Sequence, residues 1–539
     1  MRNKRIEFGS GIWQQAYHEA MQRLLARGFA SALAKKDAGL WGAKNAAESA
    51  IRMGWLDFAE RADEIIAAAA EHRALLNSRG INQIVLCGMG GSSLAPEVIS
   101  EYCNVGITIL DSSHPAQVAS ALNRDLHSTA VVVSSKSGST IETRSHLETF
   151  ERAFQAAGID PDERIIIITD PGSALAEKYT ATKRRVYLAD PNVGGRFSAL
   201  IAFGLVPPTL AGAELAPIVS EAEQLLPKLL QNSPENPALQ LAARLYAALP
   251  QKMCCAIIAN QPELAGFGDW IEQLVAESTG KHGRGVLPIS ITPQSSENTL
   301  FVPNNMLRIF IDHPVTHLAS DDVLIRGGIG EIMILWMVAT TALCYLLEVC
   351  PFDQPDVESA KIAARKHYQE VDKNTLANGT ALSDCAATQL TAGPTESSLR
   401  GIYERITTAL SSKKYGYLVV QLYFNRTAEN ICTAEKLRSA LAAKLRVPVS
   451  ATFGPRYLHS TGQLHKGGPQ QGLFLQIIDL PQKDTQLPEV DAALYSRLLL
   501  AQPHGDAAVL RRHDPDRVIQ LITTDAGKLI QLLQEFTAQ

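Results

Sequence analysis

Six hydroxyls fall within ten residues at SSKSGSTIET, Ser134 to Thr143, directly after the apolar run Ala130-Val-Val-Val133. Ser135, Ser137, Ser139, Thr140 and Thr143 stand where a strand should give way to a helix, with Lys136 among them. Hydroxyls and the unpaired amides of a helix start can together hold a phosphate without a cluster of basic side chains. A second loop of this kind is GMGGSSLAPEV, residues 88–98, after the apolar run IVLC. Gly90, Gly91 and Ser92 there would present backbone N–H groups at the positive end of a helix dipole. A dinucleotide fingerprint would need glycine where Ser93 stands, and a P-loop would need a Gly-Lys pair that is absent. A substrate loop fits better, although a tight turn without a ligand would read the same.

The elements that must position these loops are legible as texture. Residues 1–80 are rich in Ala, Leu and Glu at helical spacing and read as a helical lead-in. From 81 onward, short β-branched runs alternate with helix-length segments: IVLC, ITIL, VVVSS, RIIIITD and RVYLAD. A second set runs CCAIIAN, GVLPISIT, LRIFID, YLVVQLYF, PVSATF and GLFLQIID. Near-continuous apolar strands between helices predict parallel sheets covered on both faces. The expected fold is α/β with two lobes, at 81–235 and 236–484, and a helical insertion over 331–410. VPPT (206–209) and NSPENP (232–237) mark the expected boundary, and 485–539 forms a C-terminal segment without a readable motif. In an open parallel sheet, ligands bind beyond the carboxyl ends of the strands, where both loops lie.

At 539 residues the chain is long enough for two or more lobes, with 46% apolar and 19% charged residues, as in an ordinary globular enzyme. A net charge of −5 gives no global field for nucleic acid or anionic lipid. The eight cysteines are scattered without a C-x-x-C pair, which predicts thiols in a reducing compartment. The N-terminus shows no apolar leader, and Ile332–Leu347, between Glu331 and Glu348, is too short for the ~20 residues of a bilayer span. A cytoplasmic protein without a membrane or nucleic-acid partner is expected. No H-x-H or H-E-x-x-H cluster points to a metal, and no cofactor is expected.

Five segments together resemble the phosphoglucose isomerases: GMGGSSLAP, SSKSGSTIET, GGRFSAL (194–200), ESTGK (277–281) and FDQPDVESAK (352–361). The resemblance covers about 40–480. It is greatest to the isomerase half of bacterial transaldolase–phosphoglucose isomerase fusions, which share YLHSTGQLHKGGP. It implies two sugar-isomerase (SIS) lobes with the site in the cleft between them, a homodimer, and interconversion of glucose 6-phosphate and fructose 6-phosphate through an enediol(ate).

Residue by residue, the resemblance makes Ser135, Lys136, Ser137, Thr140 and Thr143 the phosphate contacts, and Gly90, Gly91 and Ser92 a substrate loop. Glu277 becomes the base that moves the proton between C1 and C2. Its place at the end of the helical stretch GDWIEQLVAES independently favours a raised pKa suited to that work. Arg196 becomes the cation beside the developing oxyanion, Gln354 a substrate contact and Lys361 a ring-opening residue. The family's ring-opening histidine precedes FDQ. Here the matching segment follows it by about 100 residues, with His465 the assigned imidazole and His459 its competitor. An isomerase of mannose 6-phosphate, or a sensor that binds without turnover, would share the phosphate loop. Only an enzyme needs Glu277, Arg196 and Lys361.

Overall fold

The computed structural model describes residues 5–9, 11, 13–264, 266–315, 317–356, 379–393, 396–480 and 487–538. β-branched runs form strands wherever both faces can be buried. The first sheet has the order Thr108–Leu110, Gln83–Gly88, Thr129–Ser134, Ile165–Thr169, Val186–Leu188, all parallel. Its register pairs Gly88 with Ser134 on neighbouring strands. The glycine-rich and hydroxyl-rich loops therefore leave the same sheet edge side by side. Helices Leu94–Tyr102 and Ile141–Ala156 follow them.

The strands expected in one second lobe divide between two sheets. One has the order Ile6–Phe8, Val323–Ile325, Met306–Ile311, Cys254–Ala259, Leu287–Ile291, parallel except for its first strand. The lead-in thus supplies an edge strand as well as helices. The other has the order Thr380–Leu382, Cys385–Ala392, Val518–Thr523, Gly472–Asp479, Tyr417–Tyr423, Val449–Phe453. Its last four strands are parallel, and the first two form an antiparallel margin. Strands thus occur inside the expected helical insertion 331–410, because CAATQLTA pairs as a strand without a β-branched run to announce it. The C-terminal segment adds the helix Glu489–Leu510 and a strand interior to the third sheet.

VPPT is not a boundary. Pro207 and Pro208 lie inside the helix Ala202–Ala211, where burial on all sides outweighs their poor helix propensity. That helix belongs to the largest apolar cluster, which joins the first two sheets, with Leu86 and Val132 on one side and Ile257 and Ile309 on the other. At its centre runs Ile329–Leu347, which by length and composition could cross a membrane but is here buried within the protein. The third sheet has its own core around Leu418, Leu475 and Leu521. Its other face meets the second sheet through Val419 and Phe474 against Cys254 and Ile289.

Candidate functional site

Glu277 sits in the last turn of the helix Phe267–Thr279 and is buried. Helical spacing places Asp269, Gln273 and Glu277, each four residues apart, in one column along a face of that helix. Gln273 Nε2 donates to Glu277 Oε2 at 3.3 Å and to the His459 carbonyl at 2.8 Å. Arg196, in the turn Gly195–Phe197, places Nη1 3.2 Å from Glu277 Oε1. Nη1 also donates to Gln354 Oε1 (3.2 Å), and Nη2 is fixed by the carbonyls of Pro351 (2.9 Å) and Asp353 (2.9 Å). A planar donor fork held on several acceptors is pre-organised to face one charge. Lys281 is fully buried against Asp353 Oδ1 at 2.6 Å, and burial together with the nearby Arg196 charge pushes its pKa down.

Both loops of the first sheet converge on this face. Gly90 has φ of +57°, a left-handed conformation that favours glycine. A Cβ there would lie 2.8 Å from Gln273 Nε2 and from the His459 carbonyl oxygen. A Cβ on Gly91 would lie 1.9 Å from the Gly195 carbonyl oxygen, so the loop touches the turn that carries Arg196. Ser92 is buried in the glycine-rich turn Gly90–Ser92. Ser135 donates to Thr140 at 3.3 Å, and Ser137 and Ser139 lie 2.8 Å apart at the surface. Thr140 starts the helix Ile141–Ala156 without a side-chain cap bond, and the buried Thr143 hydroxyl has no hydrogen-bond partner among the described residues. Lys136 pairs with Asp170 and donates to the Pro191 carbonyl at 3.2 Å. A phosphate at this helix start would meet unpaired amides, hydroxyls and one cation.

The two histidines separate clearly. His465 is fully buried, with its ring centroid 5.0 Å from that of Phe474, and neither ring nitrogen has a hydrogen-bond partner among the described residues. Burial and the charges of Lys466 and Arg517 hold its pKa well below the usual range. The structure does not bring it to Glu277. It closes the apolar seam between the second and third sheets. His459 is the histidine at the site, with Nε2 3.5 Å from Glu142 Oε1 and its carbonyl bonded to Gln273. Burial works to raise the Glu142 pKa, but the hydrogen bond and charge of His459 outweigh it, so the carboxyl titrates below its ordinary range. Sequence reading passed over Glu142 and Gln273. The signal for Gln273 was its place one turn before Glu277. That for Glu142 was an acid in the first turn of the helix after the hydroxyl loop. Lys361 lies outside the described residues.

Residues 67–286 match the family model described as phosphoglucose isomerase. A protein of Haloarcula marismortui named probable glucose-6-phosphate isomerase is 32% identical over 241 residues, 43% of this chain and 55% of that one. The glucose-6-phosphate isomerase of Mycoplasmopsis synoviae is 27% identical over 377 residues, 57% of this chain and 88% of that one. The chain spans about half the length of the first curated relatives it matches. Among solved structures, a hypothetical protein of Thermus thermophilus superposes with a TM-score of 0.56 at 24% identity, covering 67% of this chain and 99% of that one. A glucose-6-phosphate isomerase of Chlamydia trachomatis superposes with a TM-score of 0.50 at 19% identity, covering 58% and 74%. Both structures share the fold. The residues matched, 67–286, hold the two loops, Arg196 and Glu277, so the likeness to the phosphoglucose isomerase family model falls on the candidate site.

Proposed function

We propose that the protein interconverts glucose 6-phosphate and fructose 6-phosphate. One observation carries this reading: an unbroken run of contacts from the hydroxyl loop to the buried carboxylate. It passes from Glu142 to His459, through Gln273 to Glu277, and on to Arg196 and Gln354. Such a run can grip a phosphate at one end and move protons at the other.

In this reading Ser135, Lys136, Ser137, Thr140 and Thr143 hold the phosphate at the helix start. His459, oriented by Glu142, gives a proton to the ring oxygen as the C1–O5 bond breaks and the C1 hydroxyl releases its proton to become the carbonyl. Glu277 then takes the C2 proton of the open-chain aldose, leaving a cis-enediol(ate), and returns it to C1 while the proton on O2 passes to O1, giving the ketose. The reverse order converts ketose to aldose. Arg196 stabilises the oxygen that gains negative charge between the two transfers. Gln354 contacts the sugar, and Lys361 takes part in ring opening as the family resemblance implies. The same resemblance supports a homodimer in the cytoplasm; light scattering tests the dimer.

The deciding experiment supplies fructose 6-phosphate and follows glucose 6-phosphate through a coupled dehydrogenase, with EDTA present. Turnover that survives the chelator supports the reading. A wild-type protein without turnover refutes it.

A further inference from the structure

The turn that carries His459, Arg456–His459, follows the strand Val449–Phe453 of the third sheet. It reaches across to residues of the other two sheets. Arg456, three positions before His459, is buried and faces three carboxylates from three separate elements. Glu97 lies on the helix after the glycine-rich loop, and Asp111 directly follows the strand Thr108–Leu110. Asp269 is in the first turn of the helix that ends with Glu277, 3.3 Å from Nη2. Glu97 is held in turn by Arg426 at 2.7 Å, and Asp111 accepts from Ser93 at 3.3 Å. Beside Arg456, Tyr457 donates to Asp506 at 2.8 Å and lies 2.9 Å from the Tyr423 hydroxyl, which binds the turn to its own sheet.

The column on the Glu277 helix gives this clamp a direction. Asp269 meets Arg456, Gln273 meets the His459 carbonyl, and Glu277 stands one turn further on. At 1.5 Å per residue, Asp269 and Glu277 are about 12 Å apart along the axis. The turn therefore lies against the helix at two fixed points, and a slip at Arg456 moves the imidazole relative to both Glu142 and Glu277. A guanidinium suits this work because it can meet several carboxylates at once in fixed directions.

We infer that Arg456 is a positioning residue: it locks the 456–459 turn against the Glu277 helix and the glycine-rich loop, and so sets where His459 acts. This rests on the isomerase reading for its kinetic test. An imidazole measurement separates the two.

The kinetic test compares wild type, Arg456→Met, His459→Asn and the double variant in the fructose 6-phosphate assay. His459→Asn should lose kcat by about 100-fold. Arg456→Met should lose it by about 30-fold, with KM within about threefold. The double variant should be no worse than His459→Asn within about threefold, because residues acting through one group do not multiply their losses. Losses that multiply, or a rise in KM at unchanged kcat, overturn the inference. Arg456→Lys, which keeps the charge without the fork, takes the place of Arg456→Met if that variant does not fold. Its expected loss is about tenfold, again absorbed in the His459→Asn background.

The second readout needs no activity. The imidazole NMR signal of His459, assigned by its loss in His459→Asn, should shift or broaden in the Arg456 variant while that of His72, whose ring lies 3.3 Å from the Tyr187 hydroxyl, stays in place. An unmoved His459 signal overturns the inference even if the wild type proves inactive. Turnover missing from the wild type, with a His459 signal that moves, refutes the isomerase reading alone.

Discussion

Arg196 Nη1 lies 3.2 Å from Glu277 Oε1, and both side chains are buried. The fixed cation faces the carboxylate that would take the proton, and its positive charge would stand next to the oxygen that becomes an enediolate. Glu277→Gln keeps the shape and the Gln273 contact but removes the base. It should lower kcat by roughly 10²–10⁴-fold with KM little changed, measured by steady-state kinetics in both directions. Wild-type turnover in that variant would remove Glu277 from the mechanism.

Thr140→Ala separates binding from chemistry. Thr140 starts its helix without a cap bond of its own and accepts from Ser135. A hydrogen bond to a charged group contributes about 1.5–3 kcal/mol. KM for fructose 6-phosphate should therefore rise by about tenfold or more while kcat changes little. An unchanged KM would place the phosphate elsewhere.

His465→Leu and His459→Asn should part company in one assay. His465 is sealed among Tyr417 and Phe474, so leucine there should leave kcat within about twofold. His459→Asn should show the loss of about 100-fold described above. The opposite ranking would return the ring-opening role to His465.

Stability should depend on pH through Glu272. Burial, with the Asp269 carboxylate beside it, pushes its pKa from 4.5 up to about 8. The folded protein thus holds a proton that the unfolded chain releases. The stability this proton contributes is complete below pH 4.5 and is lost as pH rises through about 8. Glu272→Gln keeps an acceptor for the Ser290 amide, bonded at 2.8 Å, and never ionises. Its Tm should exceed that of wild type by roughly 2–4 °C at pH 9 and match it near pH 5, by circular dichroism. Equal Tm values at both pH values would show that Glu272 does not carry this proton.

Gly91→Ala tests the contact between the two turns. A methyl there would lie 1.9 Å from the Gly195 carbonyl oxygen, a clash of side chain with backbone. The expected cost is about 1–3 kcal/mol, seen as a lower Tm, together with a fall in kcat because the Arg196 turn must move.

Much of this was legible before any coordinates. Runs such as VVVSS and IIIIT announce buried parallel strands because β-branched residues packed on two faces leave no polar alternation. Glycines and hydroxyls at strand ends announce loops that can meet an anion. Pairing was not legible. Nothing in YLVVQLYF states that it leaves the sheet of CCAIIAN and joins Gly472–Asp479 instead, since that choice is made by contacts far apart in sequence. The strand Cys385–Ala392 was hidden by its Ala and Gln, which interrupt any β-branched run. The full burial that sets His465 apart from His459 is not encoded in the spacing H-S-T-G-Q-L-H. The column Asp269, Gln273, Glu277 could have been read from its four-residue interval alone.

The strand Val518–Thr523 lies between Gly472–Asp479 and Cys385–Ala392 inside the third sheet, not at its margin. Translation therefore supplies an inner strand of the sheet that bears His459 long after both loops, Arg196 and Glu277 have been made. While a ribosome is still short of residue 523, the imidazole's own platform is open. Assembly of the site is thus timed to a late stage of synthesis, and chains cut short before that strand would carry both loops without their completed partner.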